Sequence, residues 1–120
     1  MVVKSYKELV VWQKAMRVAC LTYELVKKLP KEECFALSSQ MRRAAVSIPS
    51  NIAEGQSRHS LGEFLHFLSI ANDSRAELET QLLLCVEIHY MTSQDIAEAL
   101  SLLQEIAKII NALISKFSSR

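Results

Sequence analysis

Glycine and proline are nearly absent from the chain, at two residues each in 120, and no stretch alternates apolar and polar residues over a strand length. So few breaks exclude an architecture of many short strands joined by turns and leave long periodic segments, which is a helical pattern. Cysteines number three, an odd count. Cys20, Cys34 and Cys85 never approach a C-x-x-C spacing, which excludes a disulfide framework and a zinc site and fits a reducing, cytoplasmic setting. No run reaches the roughly 18 apolar residues that span a bilayer, so no membrane role is expected. A Gly-rich phosphate loop is missing, and Ser, Cys and His never pattern as a nucleophile with its base. No enzymatic activity, metal or cofactor is therefore expected.

Charge of one sign is also lacking overall, because 14 Lys and Arg meet 13 Asp and Glu. Its distribution is uneven. Residues 1–60 carry 10 basic and 5 acidic side chains, whereas residues 61–120 carry 4 and 8. Helices of one sign packing beside helices of the other would account for this, and so would a basic working face.

Half of the residues are hydrophobic, and their spacing predicts a single domain of four helices over about 6–28, 32–57, 61–91 and 94–117. Ser5 with Glu8 and Ser60 with Glu63 have capping-box spacing, and Thr92, Ser93 and Asp95 open the last helix. Pro49 falls inside the second helix, where its ring should kink it, and Gly55 falls where that helix should fray. In the fourth helix Ile96, Leu100, Leu103, Ala107, Ile110, Ile114 and Phe117 follow a 4-3-4-3 spacing that predicts the core seam, with Ala99, Leu102, Ile106, Ile109 and Leu113 as a second stripe. The first helix also has two: Val11, Ala15, Val18, Thr22, Leu25 and Leu29, then Leu9, Trp12, Met16, Ala19, Tyr23 and Val26. A four-helix monomer needs one broad inward face per helix, so the second stripes predict homo-oligomerisation.

Glu63 and His66 form an E-x-x-H, the spacing of ferritin-like metal ligands, but the facing helices offer no second such pair, and a surface or capping Glu beside a partly buried His is the better reading. The segment Gln40–Arg58 is the most distinctive. Ala44, Ala45, Ile48 and Ile52 should pack inward, while Arg42 and Arg43 point about 100° apart. Those arginines could pair with Glu54, Glu63, Glu77 or Glu79, fixing helix order or a subunit joint. Alternatively Arg42, Arg43 and Arg58 bind phosphate, with Lys27, Lys28 and Lys31 extending the anion-binding face.

The run Ser47-Ile48-Pro49-Ser50-Asn51-Ile52-Ala53-Glu54-Gly55, preceded by Gln40-x-Arg42-Arg43-Ala44-Ala45, resembles the four-helix bundle family encoded within intervening sequences of bacterial large-subunit ribosomal RNA genes. Leu9-x-Val11-Trp12-Gln13-x-Ala15, Glu63-Phe64-x-x-Phe67-Leu68-x-Ile70-Ala71 and Ser74-x-x-Glu77-Leu78-x-Thr80 extend the likeness over about two-thirds of the chain. One departure is Asn72-Asp73, where much of the family would carry a Gly in the second position, which bears on a close helix approach there. The resemblance implies an antiparallel up-down-up-down bundle assembling as a homopentameric ring, with Gln40, Ser47, Pro49, Asn51, Glu54, Gly55, Glu63 and Glu77 as motif positions. It leads to the expectation of a non-catalytic protein associating with structured RNA through a basic face. The fold is also similar to that of the accessory variability proteins of diversity-generating retroelements, which implies the alternative of an adaptor for a reverse transcriptase and nucleic acid.

Overall fold

The computed structural model describes residues 5–118, all helix and connection. Four helices, α1 (Val10–Leu25), α2 (Leu37–Gln56), α3 (Leu61–Glu87) and α4 (Ser93–Ser118), form an elongated bundle of 46 × 21 × 20 Å. Helices consecutive in the chain pack on one another, and α4 closes the bundle on α1. Three ion pairs reach α4 from α1 and the turn that follows it, in antiparallel order: Lys14–Glu105 at 3.3 Å, Arg17–Glu98 at 3.1 Å and Lys28–Asp95 at 3.7 Å. All are at least partly exposed, so they select register more than they add stability.

The first stripe of α1 is buried as expected, from Val11 to Leu25, and Leu29 beyond it. The α4 seam falls elsewhere. Ile96, Ala99, Leu103, Ile106 and Ile110 are buried, and Leu100, Ala107, Ile114 and Phe117 only partly so. Because α4 touches both α1 and α3, its core line runs between the two stripes and takes residues from each. Inward-facing Ala44, Ala45, Ile48 and Ile52 of α2 close the core with Met41, Leu78, Leu82 and Cys85. Burial, with Glu33 nearby, pushes the Cys85 thiol up from its ordinary value, so it behaves as a small apolar side chain.

Helix boundaries depart from expectation wherever a tertiary contact intervenes. Ser5 caps a separate 3-10 turn (Tyr6–Glu8), accepting from the Lys7 amide at 3.2 Å, and α1 starts only at Val10. Two more 3-10 turns, Val26–Lys28 and Lys31–Glu33, follow α1, and α2 begins five residues later than the spacing suggests, after Ala36 at φ −120°, ψ −104°. The other two caps form as read. Ser60 Oγ accepts from the Glu63 amide at 3.2 Å, and Thr92 and Asp95 exchange amide-to-side-chain bonds at 2.9 and 3.0 Å. The Asp95 carboxyl is held below its ordinary value chiefly by the Thr92 amide.

Pro49 lies buried inside an unbroken α2, and Gly55 is part of the same helix rather than its frayed end. A Cβ added at Gly55 would stand 2.9 Å from the Phe67 Cβ and 3.3 Å from the Phe64 carbonyl oxygen, so glycine lets α2 and α3 touch there. The Asp73 departure does not loosen this seam, since Ser47 Oγ and Ser74 Oγ meet across it at 2.8 Å. α3 stops at Glu87, short of Met91. His89 takes φ 67°, while the Tyr90 and His89 amides donate to the carbonyls of Cys85 and Val86 at 2.8 and 3.1 Å, the bond pair of a Schellman cap.

These backbone positions set the expected effect of three substitutions. Gly55→Ala should destabilise by about 1 kcal/mol, the strain of ~1–3 kcal/mol exceeding the ~1 kcal/mol gained in helix propensity. Gly62→Ala, with nothing within 4 Å of the new Cβ, should be neutral or stabilising in the same denaturant titration. His89→Gly removes a left-handed cost of ~1–2 kcal/mol against ~0.5–1 kcal/mol of added chain entropy, so the thermal midpoint should rise by a few degrees.

Candidate functional site

The six basic candidates do not share one face. Lys27, Lys28 and Lys31 lie in the α1–α2 connection and Arg42 and Arg43 in the first turns of α2, all at one end of the bundle. Arg58 follows the other end of α2, about 24 Å along the helix axis from Arg42 at 1.5 Å per residue. There it bonds Glu54 at 2.9 Å, approaches Glu63 at 3.9 Å and stacks over Phe67, with 4.8 Å to the ring centroid. Two carboxylates match its charge.

The expected pairing of Arg42 and Arg43 with the glutamates is not made. Glu54 and Glu63 serve Arg58, Glu79 takes Arg75 at 3.1 Å, and Glu77 accepts the Gln81 amide at 3.2 Å. Partners four residues away in sequence win because the local backbone sets their geometry, within α3 for Arg75–Glu79 and Gln81–Glu77 and just past the end of α2 for Arg58–Glu54. Arg43 is exposed and makes no ion pair or hydrogen bond among the described residues, and Arg42, half-buried, donates a long bond of 3.5 Å to the Cys34 carbonyl. Lys27 pairs with Glu24 at 3.3 Å and Lys28 with Asp95, whereas Lys31 has no ion-pair partner among the described residues. The uncompensated cations are thus Lys31, Arg42 and Arg43.

Lys31 belongs to a clamped connection, and Arg42 reaches it at the Cys34 carbonyl. Glu33 is its anchor, with one carboxylate oxygen accepting the Tyr90 hydroxyl at 2.9 Å and the other the Leu37 amide at 3.3 Å. The hydrogen bond to that carboxylate holds the Tyr90 phenol above its ordinary value. From the fastened segment Phe35 projects with 96 % of its surface exposed. Phe35 lies outside the helical stripes, so periodicity does not single it out; the available signal is a lone aromatic between Pro30 and α2.

The remaining motif positions are structural. Ser47 and Asn51 form a polar chain with Ser74, Asn51 Nδ2 donating to the Ser47 carbonyl at 2.8 Å and its hydroxyl at 2.9 Å. Further along α3, buried Gln81 keeps an Oε1 without a partner among the described residues. Gln40 is exposed at the basic end. Glu63 donates its amide to the Ser60 cap and its carboxylate approaches Arg58, while its E-x-x-H partner His66, expected to be partly buried, is exposed beside Phe67 because it falls on the outer side of α3. Among the described residues no three His, Cys, Asp or Glu side chains gather into a metal-binding group, and no helix is long and apolar enough to cross a membrane.

A second surface lies between α1 and α2. Tyr6, Trp12, Met16, Ala19, Val46, Pro49 and Ala53, with Ser50 as a polar member, line a mostly apolar groove, in which Tyr6 meets Trp12 edge-on at 5.2 Å. Met16, Val46 and the neighbouring Tyr23 are 40 to 47 % exposed. Of the second α1 stripe, Met16 and Tyr23 are thus left exposed, Leu9, Trp12 and Ala19 are partly buried against the core, and Val26 is buried. Leu83, Leu84 and Ile88 form another exposed apolar group at the end of α3, each 43 to 45 % exposed.

No curated protein matches the chain. Among solved structures, a protein of unknown function from the S23 ribosomal protein family of Bacteroides thetaiotaomicron VPI-5482 is similar, with 30% identity, a TM-score of 0.81, and 88% of this chain and 98% of that one covered. A family model described as 23S rRNA-intervening sequence protein matches residues 7–112, from the turn before α1 well into α4. The motif residues that build the α2/α3 seam, the α1 stripes and the α3 cap all lie within that span, and the chain belongs to the 23S rRNA-intervening sequence protein family.

Proposed function

We propose that this family member is a non-catalytic bundle that assembles with copies of itself and associates with structured RNA through the basic end of each subunit. The observation that carries the reading is the apolar surface one chain leaves open. The α1/α2 groove and the α3 group are different surfaces, and packing one against the other is a head-to-tail contact that closes into a ring if the rotation permits. A pentamer is the closure the family resemblance implies.

Assembly would bear directly on RNA binding. One subunit, at a net charge of +1, has little pull on a polyanion. A ring repeats Lys31, Arg42 and Arg43, with Lys27 and Lys28 behind them, so weak contacts act together at high effective concentration. Arg58 falls outside this patch, at the other end and already matched by two carboxylates.

Sedimentation at micromolar concentration should show a multiple of the 13.6 kDa chain mass. Val46→Asp should reduce it to the monomer with helical content retained, because Val46 is already 42 % exposed in the isolated chain but would bury a carboxylate in the contact. A monomeric parent would remove the assembly. In a salt series against a structured ribosomal RNA fragment, affinity should fall as salt rises. The Arg42→Ala/Arg43→Ala variant, at unchanged mass, should bind more weakly and with a shallower slope, by ~0.7–0.9 for each phosphate it no longer neutralises, whereas Arg58→Ala should leave both as in the parent. A parent that binds no RNA at low salt would refute the RNA reading and favour a protein-binding adaptor.

A further inference from the structure

We propose that Phe35 is a stacking platform for an unpaired RNA base, so that the nucleic acid recognised at the basic end is a single-stranded loop or bulge rather than a regular duplex. The inference rests on the RNA reading above and narrows its target. At 96 % exposure the ring is the most exposed large apolar side chain among the described residues, and it is not at the end of a loose loop. The backbone that carries it is tied on both sides. Glu33, two residues before, holds the Tyr90 hydroxyl and the Leu37 amide, and the Cys34 carbonyl receives Arg42. A ring presented from a fixed backbone loses little freedom when a ligand lands on it.

Charge decides what that ligand is. Residues 26–44 hold five cations and two carboxylates. Lys27 and Lys28 are paired with Glu24 and Asp95, so Lys31, Arg42 and Arg43, without an ion-pair partner among the described residues, stand against exposed Glu32 and against Glu33, which is held by two neutral donors and keeps its charge; the balance is a modest positive excess. Lys31 begins the turn that leads to Phe35, and its carbonyl accepts the Cys34 amide at 3.0 Å. Arg42 Nη2 stands 3.5 Å from the carbonyl of the residue preceding Phe35. An aromatic anchor for a protein pocket is surrounded by contacts that exclude water. Phe35 instead has Arg42 at the carbonyl of the preceding residue and Lys31 four residues before it in sequence, so a base can stack on the ring while a neighbouring phosphate meets a basic group. A duplex keeps its bases stacked on one another and offers Phe35 nothing to cover. Unpaired nucleotides can turn a base out onto it.

The test compares the full-length protein with Phe35→Ala and Phe35→Trp on two RNAs: a hairpin whose loop is a run of unpaired adenines, and a fully paired duplex of equal length. Phe35→Ala should keep the parent's mass and thermal midpoint, since its ring touches little of the bundle. It should lose about tenfold in affinity for the hairpin with an unchanged salt slope, while duplex binding stays as in the parent and Phe35→Trp retains hairpin binding. Parental hairpin affinity in Phe35→Ala, or an equal loss on hairpin and duplex, would overturn stacking while leaving RNA binding in place. A changed assembly mass would overturn it in favour of a contact between copies. A parent that binds neither RNA at low salt would remove the RNA reading and this inference together.

Discussion

The close approach of α2 and α3 is the constraint on which the remaining architecture depends. At one end it requires Gly55, because any Cβ there would run into Phe67 and the backbone at Phe64. Midway it is held by the Ser47–Ser74 contact, with Asn51 satisfying the Ser47 carbonyl. Toward the other end Met41 meets Cys85, sulfur to sulfur, at 3.8 Å. Small and polar side chains along this line bring two long helices together, and larger aliphatic residues fill the space toward α1 and α4.

That arrangement determines which surfaces remain open. α1 and α4 close the bundle from the opposite side, register-matched by three exposed ion pairs over an aliphatic interior. The inward stripe of α1 is used completely, and its second stripe faces a groove with α2 that the chain does not fill. The distinctive Gln40–Arg58 segment therefore serves three surfaces at once. Its alanines and isoleucines reach the core, Val46 and Pro49 line the open groove, and Arg42 and Arg43 stand at the basic end. A segment with such divided duties has little freedom to vary, which is a physical reason for a run this specific to mark a family.

Charged residues show how local geometry competes with longer-range pairing. Arg58 and Arg75 each find a glutamate four residues away on the chain, and Arg42 and Arg43 have no ion-pair partner among the described residues. Helical spacing brings the local pairs together whether or not the bundle forms. A cross-helix pair has to wait for the tertiary fold and immobilise two long side chains to be made. Glu33 is the exception that shapes the connection: its reach to Tyr90 joins the start of α2 to the end of α3 and stops α2 from beginning as early as its sequence would permit.

Much of the fold was legible in the residues themselves. Apolar periodicity determines four helices, the scarcity of glycine and proline keeps them long, and the Ser60–Glu63 and Thr92–Asp95 boxes mark where two of them start, because capping depends on atoms only a few residues apart. The family motif and the inward line of α1 were equally open to reading. Only the tertiary structure decided where the α4 core line falls between its two stripes, that α3 ends in a left-handed His89, that Gly55 is a point of contact, and that Arg58 stands apart from the other basic residues. It also decided that Phe35 faces solvent from a clamped segment. The α4 core line, the Gly55 contact and the Glu33–Tyr90 clamp depend on groups far apart in the chain, whose distances no local spacing encodes, whereas the His89 cap is local but carries no glycine to announce it.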